Sequence, residues 1–418
     1  MPHKVSTGNA NIRISLASPP GWKYVGGDTV IGNVVRCSYI VAPEATVTLA
    51  LYGRVKTKIT VRKNYSTYGS NTSHYRGRWE LFHTTRQVLF QGPIHLPEGS
   101  ASDPLTWPFA LNIPARPSDE VLHGHSREES FLPLNTDNLA YSTLPGSFYS
   151  RSNGWRTSSE GFVEYYLEAE LRYGRAGSSE IETATLPITI RHLPPAETFG
   201  SYALQSCVVE KRIKSQRLLP GMEHAQLSLK QKIQKLVGSS KVPEFVYTVE
   251  INWPQAIQID KPTPIPIIVG VSPSHASPKI QDVVQKVRLN WVDMCIRPTT
   301  LVLAPGNFSR SNIHDDRHSS RHYLGLKGAF LGLQHPIVLT TGKGSQPVDI
   351  GGMLRLVMHP NGVTLGGQRV TTMMGPCPDF VTYNIRHTNQ LDLEVSLTVA
   401  GETHQFKVSS GLRIIAAP

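Results

Sequence analysis

Apolar residues return at every second position through much of this chain. The clearest run lies between residues 47 and 61. Val47, Leu49, Leu51, Val55, Ile59 and Val61 hold odd positions, and Thr48, Tyr52, Arg54, Lys56, Lys58 and Thr60 hold even ones. A period of two sends one set to a core and the other to the opposite face of a strand. The pattern therefore predicts Arg54, Lys56 and Lys58 as a basic row on an open face, with Arg62 and Lys63 just beyond.

Similar alternation predicts strands at Ile12–Leu16, Trp107–Pro114, Val163–Leu171, Leu186–Leu193, Phe245–Ile251, Val287–Trp291 and Leu391–Val399. Trp79, Leu81, Val88, Leu89 and Phe90 read as core, as do Leu354, Leu356 and Met358 ahead of the Pro360-Asn361-Gly362 turn. Leu227, Leu229, Ile233 and Val237 suggest a strand whose other side is basic through Lys230, Lys232 and Lys235; periodicity leaves a helix open there. Gly26-Gly27-Asp28 reads as a tight hairpin turn into the β-branched run Thr29–Val35, because glycine tolerates positive φ. Asp260 in Ile257–Ile267 marks a comparable turn later in the chain. Residues 64–78, 115–143 and 305–328 are polar and turn-rich, and read as loops.

With 418 residues, about two domains are expected. The 31 prolines and 34 glycines punctuate short apolar runs, which favours an all-β fold. The ranges are 1–195 with a loop insertion at 115–143 and an exit stiffened at Pro194-Pro195, a linker and entry to the second domain over 196–225, and 226–418 with a loop insertion at 305–328. No apolar run reaches the ~18 residues of a membrane span. Met1-Pro2-His3-Lys4-Val5 lacks the apolar core of a secretory signal. Cys37, Cys207, Cys295 and Cys377 are therefore read as reduced cytosolic thiols, and the Asn64, Asn71 and Asn307 sequons as unused. The net charge of +11 favours anionic partners without choosing among them.

Few motifs suggest chemistry. His314-Asp315-Asp316-Arg317-His318, with His322, has metal-binding residue types, but neighbours in one loop do not converge on one ion and Arg317 repels a cation. It reads as a solvated loop, and His123-Gly124-His125 does too. Gly342-Lys343-Gly344-Ser345 lacks the earlier glycine of a phosphate loop, since Ile337 stands there. No nucleophile–base set is visible, so no catalysis, metal or cofactor is expected. The basic residues lack the aromatic interleaving of a nucleic-acid platform.

The order of several motifs resembles the arrestin family, and within it the fungal α-arrestin-like branch. They are Gly27-Asp28-x-Val30-x-Gly32, Trp107-Pro108-Phe109 through Pro114, Leu144-Pro145-Gly146-Ser147-Phe148 and Val163-Glu164-Tyr165-Tyr166-Leu167-Glu168-Ala169. Pro378-Asp379-Phe380 through Ile385-Arg386-His387 and Leu391–Leu397 resemble the closing strands of the arrestin C-domain. The resemblance implies two tandem immunoglobulin-like β-sandwich domains, with Gly27, Asp28, Gly32, Phe109, Pro114, Pro145 and Phe148 as structural marks. It also implies a cytosolic adaptor, recruited to plasma membrane or endosomes, that links the cytoplasmic tails of transporters or receptors to ubiquitination, endocytosis or signalling. A retromer-like or other coat component with the same fold is the alternative. Arg54, Lys56, Lys58, Arg62 and Lys63 are the expected sites for acidic tails or anionic lipid. Two features depart from the family. Pro19-Pro20-Gly21-Trp22 and Pro194-Pro195-Ala196-Glu197 are not PPxY motifs, so a ubiquitin ligase would need another route. Leu186-Pro187-Ile188, with Arg191 after it, does not carry over a phosphate-sensing arginine.

Overall fold

The computed structural model describes residues 4–65, 69–82, 84–99, 103–175, 178–193, 200–229, 231, 241–307, 312–342, 344–370 and 375–418. They form two compact units, and the protein is all-β. Unit 1 comprises Met1–Leu193 together with Thr300–His318 and Phe380–His387. Unit 2 comprises Pro194–Thr299, Ser319–Asp379 and Thr388–Pro418. The two late segments of unit 1 fall in the range that the sequence pattern assigns to the second domain.

The early strands of unit 1 are β1 (Arg13–Leu16), β2 (Lys23–Tyr24), β3 (Thr29–Arg36), β4 (Ile40–Tyr65) and β5 (Gly69–Glu80). There follow β6 (Thr85–Leu96), β7 (Leu105–Asn112), β8 (Phe148–Asn153), β9 (Thr157–Arg175) and β10 (Ser178–Ile190). One sheet has the order β1-β3-β7; the other runs β2-β10-β9-β4-β5, with β6 also on β4 and β8 also on β9. A single apolar cluster takes Val34 and Phe109 from the first sheet and Val47, Leu49, Leu167 and Ala169 from the second. The unit is thus sandwich-like. The odd-numbered row of β4 is buried as its period requires, except Val61 at the strand's end, which is half-buried.

Several expectations change here. The Gly26-Gly27-Asp28 turn does not close a hairpin, because β2 pairs in parallel with β10 while β3 pairs with β1 and β7. It carries the chain from one sheet to the other. Residues 69–80 form a strand whose full length pairs with β4. Its polar side chains hid it: an edge strand is held by backbone ladders and needs few apolar residues. Val88 is exposed rather than core. Residues 115–143 contain no β-strand, but they are more than a surface loop. Val121 is buried, and Leu122, Leu132, Leu134 and Leu139 pack against the core.

In the second half the first strands are β11 (Leu204–Lys214), β12 (Glu244–Pro254), β13 (Ala256–Gln258), β14 (Ile268–Ala276) and β15 (Lys286–Pro305). Next come β16 (Ile313–Ser319), β17 (His322–Tyr323), β18 (Ile337–Thr340), β19 (Val348–Asp349) and β20 (Val357–His359). The last are β21 (Gly362–Leu365), β22 (Gln368–Arg369), β23 (Phe380–Val381), β24 (Ile385–Val399) and β25 (Glu402–Ile415). In unit 2 the sheet β11-β12-β14-β19 shares an apolar cluster with β15, β24 and β25 through Tyr247, Val269, Leu289, Leu393 and Leu412. Ala400 and Gly401, both at positive φ, form the two-residue turn between β24 and β25.

Residues 305–328 are not one loop, since β16, β17 and the start of the helix Leu326–Leu331 lie within them. At Leu227 the chain is irregular, and Lys230, Lys232, Ile233, Lys235 and Val237 lie outside the described residues. All four cysteines are free thiols. Among the described residues no helix is long and apolar enough to cross a membrane.

Candidate anion-binding cleft

The structural marks lie at separate places in unit 1. Gly27 has φ +97°, which a side chain would strain. The Asp28 carboxylate accepts a hydrogen bond from the Val25 amide at 2.8 Å, closing the turn from within. Gly26 has the Pro114 carbonyl oxygen 3.2 Å from where a Cβ would stand. Gly32 lies opposite Phe109 in the β3–β7 ladder, and a Cβ there would stand 2.8 Å from the Phe109 ring and closer still to the Ser15 carbonyl. The Pro145 carbonyl accepts the Tyr165 hydroxyl proton at 2.7 Å. Phe148 meets Phe380 edge-on with ring centres 4.8 Å apart.

The expected basic row divides. Arg54 is 8 % exposed and Lys56 3 %, so the first two cations are not on an open face. Both converge on Glu164 of β9: Arg54 Nε lies 2.7 Å and Lys56 Nζ 2.6 Å from its Oε1. The Lys4 amide donates to Glu164 Oε2 at 3.1 Å, and Lys4 Nζ pairs with Glu168 at 3.1 Å. Tyr166 stacks on Tyr52 and lies under the charges of Arg54 and Lys4. Arg54 and Lys56 are covered because the adjacent strand β9 supplies a carboxylate opposite Arg54 and an aromatic ring opposite Tyr52. Burial lowers the Lys56 pKa more than its bond to Glu164 raises it. For Glu164, burial acts upward, but hydrogen bonds from Lys56, the Lys4 amide and Arg54 hold the carboxyl below its usual range. Lys58 is half-buried, opposite Arg76 on one side and Glu160 on the other.

Arg62 and Lys63 are exposed, as expected, and they do not stand alone. Gly154-Trp155-Arg156 forms the turn between β8 and β9, and the Arg62 amide donates to the Arg156 carbonyl at 2.8 Å. Position 154 is tight, since a Cβ there would run into the Thr157 carbonyl. This register sets Arg62, Lys63, Trp155 and Arg156 around a cleft of about 470 Å³. Trp155 is 84 % exposed. Among the described residues no carboxylate lines the cleft or pairs with its three cations. Like charges gathered without a counterion favour an anionic occupant, and the indole offers a flat apolar surface beside it. Trp155 and Arg156 escaped the sequence reading; the signal present was Asn153-Gly154, a turn dipeptide followed at once by an aromatic and a cation.

The His314–His318 stretch lies on strand β16 rather than in a solvated loop. His314 stacks on Tyr75, Asp316 accepts the Ser159 hydroxyl proton, and His318 Nε2 shares a 2.6 Å hydrogen bond with Ser150. The alternating residues thus go to three different partners, and hydroxyls satisfy a strand that carries few apolar residues. Among the described residues no group of three or more His, Cys, Asp or Glu side chains is placed to hold a metal ion. Gly342 and Ser345 are joined by a turn hydrogen bond, and Lys343 lies outside the described residues. Comparison with protein-family models and with curated proteins finds no match to the chain.

Proposed function

We propose that the protein is an arrestin-like adaptor of two immunoglobulin-like β-sandwich domains that binds acidic or phosphorylated cytoplasmic tails of membrane transporters or receptors. It works in the cytoplasm, at the plasma membrane or endosomes, and connects its cargo to ubiquitination, endocytosis or signalling without bond-making chemistry. The observation that carries this reading is the cleft in which Arg62, Lys63 and Arg156 stand beside exposed Trp155 with no carboxylate among the described residues that line it. An extended tail bearing carboxylates or phosphates matches three exposed cations in an open cleft, and an aromatic or aliphatic residue of the tail matches the indole. A ubiquitin ligase would be reached by a route other than a PPxY motif, which the sequence lacks.

The direct experiment is to titrate an acidic phosphopeptide while following tryptophan emission. A saturable change that disappears in Trp155→Phe supports the reading. An identical change in the variant, or none in the parent, removes it.

A further inference from the structure

Unit 1 is completed by two segments that return from late in the chain, and three histidines stand where they pack. His387 on β24 is 4 % exposed, and its Nδ1 shares a 3.0 Å hydrogen bond with the Thr300 hydroxyl. Its ring stacks on Phe380 at 5.7 Å and lies 5.2 Å from Phe148. His192, just beyond β10, lies 4.9 Å from the same Phe380. His318 on β16 is held to Ser150 of β8. Each ring has one buried nitrogen with no hydrogen-bond partner among the described residues: Nε2 of His192, Nδ1 of His318 and Nε2 of His387.

The chemistry of His192 is the most constrained. The Gly146 amide donates to its Nδ1 at 3.2 Å, so that nitrogen must carry a lone pair, and the proton sits on Nε2. A second proton at Nδ1 would break that bond and place two donors face to face. The ring cannot shift toward the turn, because a Cβ on Gly146 would already stand 2.5 Å from it.

The groups that face the three rings offer little to stabilise a cation. β8 presents Phe148 and Ser150, β15 presents Thr300, β23 presents Phe380, and the turn before β8 presents the Gly146 amide. On β16, Asp316 favours protonation of His318. His192 and His318 each oppose a charge on His387. Burial comes first among the causes that push His192 and His387 down to about 4, and it also lowers His318.

We propose that His192, His318 and His387 form a proton-operated latch within unit 1. While neutral, they seal the segments Thr300–His318 and Phe380–His387 against β8 and the turn that precedes it; protonation opens that packing. Charged His192 and His387 would repel one another across Phe380, His318 would add to the repulsion on His387, and the buried His387 ring would lack a solvent shell. The Phe131 amide bonded to Tyr383, the Leu303 amide bonded to Asn384 and the Thr382 amide bonded to Ile385 would lose protection together. The latch is independent of what the basic cleft binds.

The test is hydrogen exchange on the full chain between pH 7.5 and 5.0, with each rate divided by its intrinsic value. Protection at Phe131, Leu303 and Thr382 should fall by about tenfold or more, ahead of Leu49 and Leu167 in the β4–β9 ladder. The variants His192→Asn, His387→Asn and His318→Gln keep the hydrogen-bonding atom but do not titrate in this range, and each should reduce the loss. A pH-independent protection pattern in the parent, or an undiminished loss in all three variants, overturns the proposal. If a variant does not fold, histidine ring titrations of the parent decide: depressed midpoints support the latch, and three midpoints near 6.5 overturn it.

Discussion

Lys56 and Glu164 meet at 2.6 Å with neither side chain more than 4 % exposed, and Arg54 shares the same carboxylate oxygen. A carboxylate between two buried cations is a structural centre. Removing it takes away the carboxylate that both charges share, and breaking a buried ion pair in this way costs about 3–5 kcal/mol. Glu164→Ala should therefore lower the urea midpoint of unit 1 sharply, whereas Lys56→Met, which leaves Arg54 and the Lys4 amide on the carboxylate, should lower it less. Equal and small effects would show that the cluster is not buried as described.

Gly32 and Phe109 give a second prediction. Gly32→Ala inserts a methyl group into a space already closed by the Phe109 ring and the Ser15 carbonyl, and overpacking of this kind costs about 1–3 kcal/mol. Gly411→Ala is the matched control, since nothing lies within 4 Å of its would-be Cβ and its φ is not positive. Thermal melts should show a clear drop for the first and almost none for the second.

Stability should depend on acid in one direction. His387 and His192 are held near 4 by burial, against an ordinary value of 6.5, so the unfolded chain takes up protons that the folded one refuses. Their contribution is complete above pH ~6.5 and shrinks as pH falls from there toward 4. At pH 5 the loss from His387 alone is about 2 kcal/mol. Melting temperatures from pH 8 to 5 should be flat and then fall below ~6.5, with a shallower fall in His387→Asn. A melting temperature that rises on acidification over this range contradicts the assignment of neutral rings.

Much of the fold was legible because single strands carry their own signature. The odd row of β4 predicts its buried side from residues 47–61 alone. The fate of the even row was not legible, since Arg54 is covered by Glu164, 110 positions later in the chain. Strand β5 was hidden by its polar side chains, and β16 by partners (Ser150 and Ser159) far away in sequence. The Gly26-Gly27-Asp28 turn was readable as a turn, but which sheets it joins depends on β10 and β7. Arg62 and Lys63 were found as charges. Their setting was not, because the cleft requires the β8–β9 turn to come alongside the end of β4.

The measurement closest to the central proposal is the affinity of an acidic phosphopeptide for the parent and for Arg62→Glu/Lys63→Glu/Arg156→Glu, followed by fluorescence anisotropy at two salt concentrations. All three side chains are at the surface of the cleft rather than in the core, so melting temperature should change little. The account predicts at least about a tenfold loss of affinity in the variant and a parent affinity that weakens with salt. Equal affinity in parent and variant at low salt would contradict it.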